Sequence, residues 1–76
     1  MPITLNEIRE QLIQAIEYSG LKKTEIAQRL GIAQPTLSQY LSGRAMPALD
    51  TFANLCRILD LDANEILCLK NTKPNS

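Results

Sequence analysis

The chain has no histidine and no tryptophan in 76 residues, and its aromatic side chains are one Phe and two Tyr. Without an imidazole, both the usual general base near neutral pH and the commonest metal ligand are missing. Two thiols, Cys56 and Cys68, fall short of the roughly four ligands of a structural zinc site. They outline no disulfide framework either, so both are read as plain thiols, with Cys56 on a core-facing helix position. Glycine-rich phosphate loops and clustered carboxylates are also lacking, and no pair of residues stands ready as nucleophile and base. An enzyme is not expected, nor a cofactor, a metal or a small-molecule ligand. No apolar run approaches the roughly 18 residues of a membrane span, and no basic-then-apolar signal segment opens the chain. That predicts a cytoplasmic protein with no membrane partner. Repeats, low-complexity stretches and strand-like alternation are absent as well.

Net charge is missing too, with 8 Lys and Arg against 8 Asp and Glu and a pI of about 6.1. A zero sum speaks against a nucleic-acid partner only if the charge is evenly spread. Here it is not. Between Gly20 and Pro47, Lys22, Lys23, Arg29 and Arg44 oppose Glu25 alone, four minus one, which leaves +3 there and −3 on the rest. A locally basic face can bind phosphate while an acidic remainder limits non-specific adhesion.

What the sequence does contain is helix punctuation. A chain of 76 residues, 45% apolar, makes one small domain near the lower size limit for a single core. Thr4 and Glu7 have capping-box spacing, so a first helix is predicted to about Ser19, burying Ile8, Leu12, Ala15 and Ile16 and leaving Ile13 exposed; Gly20 ends it. A second helix is expected from Lys23 to Leu30. Gly31 closes it in the left-handed conformation that only glycine takes without steric cost. A third runs from Gln34 to Ser42, with Pro35 in its first turn, where a missing N–H costs nothing. Leu37 and Leu41 point inward, Tyr40 packs in part, and Gly43 ends the helix. Pro47 breaks the chain before a fourth helix, about Leu49 to Leu59, with the apolar stripe Leu49, Phe52, Leu55, Cys56 and Leu59. Asp62 and Glu65 have cap and third-position spacing for a short fifth helix through about Leu69, and Ile66 closes the core. The prediction is an all-α protein, a compact five-helix bundle over residues 1–70, with a disordered polar tail at 71–76.

Within this bundle the stretch from Leu21 to Gly43 has a particular form. Small Ala27 lets two helices cross closely, Gly31 makes the turn, and Leu37 sets the angle of the second helix against the first. This is a helix-turn-helix, whose second helix is offered to the DNA major groove.

Residues 8 to 67 resemble the lambda-repressor-like, or XRE-type, DNA-binding domains of phage and bacterial regulators. Four pieces in register carry the likeness: Leu21 to Gly31; Leu37-Ser38; Ser42-Gly43-Arg44; and Pro47 with Leu49, Phe52, Leu55, Leu59, Leu61 and Ile66. The resemblance implies base-edge contacts from Gln34, Pro35 and Gln39, with Ser38 beside them. A glutamine amide at Gln34 suits adenine, whose N6 and N7 it can bond bidentately. It also implies phosphate contacts from Lys23, Ser42 and Arg44, with Thr36 a further candidate, and these fix register without reading sequence. Relatives commonly dimerise through the last two helices, which here offer Ile58, Leu67 and Leu69 as a self-complementary apolar patch. The implied function is a sequence-specific transcriptional regulator, a repressor acting as a homodimer on a double-stranded operator. The alternative is a protein-interaction module such as an antitoxin.

The sequence departs from the family pattern in four places. Lys22 and Ala33 stand where Ser or Thr caps are usual, at a cost of about 1 kcal/mol each unless something else binds the free amides. Pro35 can offer only apolar contact. Ile16 and Leu41 replace an Arg–Glu pair common in relatives, and exchanging both members for packed aliphatics leaves no unpaired charge.

Overall fold

Thr4 opens the first helix as its spacing predicts. The Glu7 backbone N–H donates to Thr4 Oγ1 at 3.2 Å, and Glu7 Oε1 accepts from the Thr4 backbone N–H at 3.1 Å. Two amides at the helix start are thereby satisfied. This helix, α1, spans Leu5–Tyr18. Leu12 and Ile16 are buried, while Ile8 and Ala15 pack in part against the core. At its far end the Ser19 hydroxyl donates to Ile16 O at 2.8 Å and accepts from Leu21 N–H at 3.2 Å.

The computed structural model describes residues 2–69, and over them the protein is all-helical, with no strand. After α1 come α2 (Lys23–Leu30), α3 (Gln34–Ser42), α4 (Leu49–Leu59) and α5 (Ala63–Ile66). The proposed tail at 71–76, with residues 1 and 70 of the predicted domain, lies outside the described residues.

One backbone device ends four of the five helices. At Gly31, the glycine N–H bonds Gln28 O at 3.1 Å and Ile32 N–H reaches back to Ala27 O at 3.0 Å. This closure requires a residue in the left-handed region. Gly31 (φ 74°) and Gly43 (φ 84°) supply it freely. Asp60 (φ 56°) and Cys68 (φ 65°) adopt it as non-glycine residues, at about 1 kcal/mol or somewhat more for a side chain unsuited to it. Leu61 N–H then bonds Cys56 O, and Leu69 N–H bonds Asn64 O, at 2.7 and 2.8 Å.

The core takes one fully buried large side chain from each of four helices: Leu12, Ile26, Leu37 and Leu55. Each contributes about 1.5–3 kcal/mol relative to exposure. Ile16, Ala27 and Ile66 complete it, with Leu30, Ile32, Tyr40, Leu41, Phe52, Leu59 and Leu61 among the side chains packed around. Cys56 is buried beside them, and burial first, then the negative charge of Asp62, pushes its thiol pKa up. It therefore stays protonated at neutral pH and is a poor nucleophile.

Three expectations need correction. Leu49, placed on the apolar stripe of α4, is 84% exposed. Burial falls along α4 from Leu55 through half-buried Phe52, so the first turn projects beyond the core. The fifth helix ends at Ile66, not Leu69, because the left-handed turn at Cys68 closes it. Ile13 is half-buried rather than exposed.

Candidate nucleic-acid interface

α3 has two faces with different work. Leu37 is 1% exposed and anchors the helix inward, and Tyr40 and Leu41 pack against the core on its flanks. Gln34, Pro35, Ser38, Gln39 and Ser42 are all exposed. At 3.6 residues per turn these five fall in one arc of roughly 140°. Thr36 lies outside that arc and is half-buried. The side-chain amides of Gln34 and Gln39 make no hydrogen bond to the described residues, so both remain available to an outside partner.

The angle of this face is set from behind. Ile26 and Ala27 of α2 are buried at 0% and 2% exposure, and α2 packs against both α3 and α4. With a methyl at position 27, the two helices can approach closely. Gly31, at φ 74°, reverses the chain between them.

Neither α2 nor α3 has a side-chain cap. Lys22 and Ala33 occupy the cap positions in extended backbone and their side chains bond no first-turn amide, although the Thr36 N–H of α3 donates to Ala33 O at 3.0 Å. Free N–H groups at such a start, with the helix dipole behind them, favour an anion. A shallow concavity at the start of α2 is lined by Ile16, Glu17, Leu21, Lys22, Lys23 and Thr24. Lys23 Nζ lies 4.0 Å from Glu17 Oε2, with both side chains more than half exposed, a contact that contributes little. At the other end of α3, Ser42 Oγ donates to Gln39 O at 3.1 Å, and Arg44 is exposed with no ion pair among the described residues. Arg29, in contrast, is paired with Glu25 at 2.7 Å one helical turn away. That pair cancels within the +3 of this segment, which is carried by Lys22, Lys23 and Arg44.

One residue at this surface was not singled out from the sequence. Arg9 of α1 lies against the turn that ends α3. A Cβ built on Gly43 would stand 3.2 Å from Arg9 Cδ and 3.7 Å from its Nε. Arg9 precedes Ile16 by two helical turns, and a cation on the edge of a buried stripe was the signal that could have found it.

A family model described as a helix-turn-helix domain matches residues 3–67. The chain belongs to that helix-turn-helix family. No curated protein and no solved structure matches it. The match spans all five helices and agrees with the XRE-like resemblance of the sequence, a domain type of DNA-binding regulators. No helix among the described residues is long and apolar enough to cross a membrane. Ile58 and Leu67 of this helix-turn-helix protein are half-buried and Leu69 is 55% exposed, at the end of α4 and just past α5.

Proposed function

We propose that this helix-turn-helix protein is a sequence-specific transcriptional repressor, cytoplasmic, and active as a homodimer on a palindromic or near-palindromic operator. The observation that carries this reading is the two-sidedness of α3: Leu37 buried behind, and Gln34, Pro35, Ser38 and Gln39 exposed in front with both amides free. A surface built to read base edges needs unspent donors and acceptors held on a rigid element, and this face supplies them. Gln34 reads adenine, Gln39 is the second hydrogen-bonding reader, and Pro35 and Ser38 contact the neighbouring bases. Lys23 and the free amides of α2 hold one stretch of phosphate; Thr36, Ser42 and Arg44 hold another. Ile58, Leu67 and Leu69 meet their counterparts across a two-fold axis, which places half-sites about 34 Å apart. Residues 1–70 form the DNA-binding domain and 71–76 a tail outside it.

Selection of duplexes from a random pool tests the reading. A two-fold-symmetric motif is expected. Gln34→Ala loses about 1–3 kcal/mol of discrimination at one position of each half-site. Arg44→Ala instead weakens binding to every duplex alike and lowers the salt slope by about one. A pool with no enriched motif, selected by protein shown by ultracentrifugation to be dimeric, would overturn the proposal.

A further inference from the structure

Arg9 is held in an unusual way for a surface arginine. Its Nη1 donates to Asn6 Oδ1 at 2.5 Å, one turn back on α1. Its Nε is buried and has no acceptor among the described residues. Its stem crosses Gly43, where even a methyl group at 3.2 Å from Cδ would force it to shift. No carboxylate among the described residues pairs with it. A guanidinium carries five N–H donors in a fixed fork suited to two oxygens of one phosphate. Here Asn6 takes one of them and the Nε–H is buried against the Gly43 turn, which leaves the Nη2 donors and the second Nη1 hydrogen without a partner among the described residues.

We infer that Arg9 is a further phosphate-gripping residue of the DNA interface, supplied by α1 and positioned jointly by Asn6 and the bare backbone of Gly43. This rests on the DNA-binding reading above and deepens it. The duplex phosphate held by the Ser42–Arg44 turn also receives the free edge of the Arg9 fork. The absence of a side chain at Gly43 then has two causes. Its φ of 84° favours glycine, and a Cβ there would press on the Arg9 stem at 3.2 Å and make it shift. The alternative role for Arg9 is purely internal, a cation lying on the carbonyl end of α3. The two roles differ in what they predict for binding.

The test uses the full chain and two duplexes, the selected operator and one of random sequence, each titrated at several KCl concentrations. Arg9→Met keeps an apolar stem over Gly43 and removes the fork; Arg9→Lys keeps the charge; Arg57→Met removes the same charge from the last turn of α4. Arg9→Met is expected to weaken binding several-fold on both duplexes and to lower the salt slope by about 0.9, the contribution of one phosphate contact. Arg9→Lys should recover most of the slope but not the full affinity, since an ammonium cannot make the paired contact. Arg57→Met should leave the slope near that of the parent. The inference is overturned if Arg9→Met melts lower yet keeps the parental slope, or if Arg57→Met lowers the slope by as much. Failure of the parent chain to bind either duplex would instead sink the DNA-binding reading itself, a separate outcome.

Discussion

α1 and α5 begin on side chains that satisfy their first amides, Thr4 in one and Asp62 in the other; α2, α3 and α4 begin on Lys22, Ala33 and Ala48, whose side chains satisfy none. The two groups hold their shape by different means. The capped helices carry their start signals locally, within three residues of chain. Each uncapped helix depends on a side chain at 1% exposure or less in the common core, Ile26, Leu37 and Leu55, whereas α1 has both its cap and a core residue, Leu12. Packing substitutes for capping in the uncapped helices. The consequence for function is that the start of α2 keeps N–H groups that the protein does not use, whereas α3 keeps only that of Gln34, since Pro35 has none and the Thr36 N–H bonds Ala33 O. A cap worth about 1 kcal/mol is missing from the helices that carry the proposed DNA-reading surface.

The sharpest way to break this contrast is to remove a shared core side chain. Ile26→Ala should cost about 2–5 kcal/mol, a large part of the stability of a domain this small, and appear as a lower denaturant midpoint. A loss under about 1 kcal/mol would mean that the uncapped helices do not depend on the core as described. Next in size is Thr4→Ala, which removes a working cap and should cost about 1 kcal/mol in the same measurement, with DNA affinity unchanged. The smallest effect, and the most informative, is expected from Lys22→Ser, which restores a cap at α2. Stability should rise by about 0.5–1 kcal/mol. DNA binding should weaken, because the new hydroxyl takes the amide assigned to phosphate and the lysine charge is lost. Equal gains in stability and affinity would show that the free amides of α2 play no part in binding.

Much of this protein was legible in the chain itself. The bounds of α2, α3 and α4 follow from Gly31, Gly43, Pro47 and the apolar spacing, and the capping box at Thr4 forms as its sequence signature requires. Where the reading slipped, long-range geometry was responsible. Leu49 has the right spacing for the stripe of α4 but stands past the end of the core. Cys68 takes a left-handed conformation that its residue type does not announce, and α5 ends there. At the interface, the exposed face of α3 was readable from helical period alone, because Leu37 and Leu41 define its back. Arg9 was not, since the residue it lies against is 34 positions away in the chain.

The order of residues by itself determined the all-helical architecture, the turn at Gly31 and the polar side of α3, since caps, left-handed glycines and apolar periods act over a few residues. Only the folded bundle decided which cations stay free. Arg29 is spent on Glu25, Lys23 rests loosely near Glu17, and Arg9 is laid across Gly43 with donors to spare. The Arg29–Glu25 pair is written in the local i,i+4 spacing of α2, but the placement of Lys23 near Glu17 and of Arg9 across Gly43 depends on distances between elements, and no local pattern encodes those.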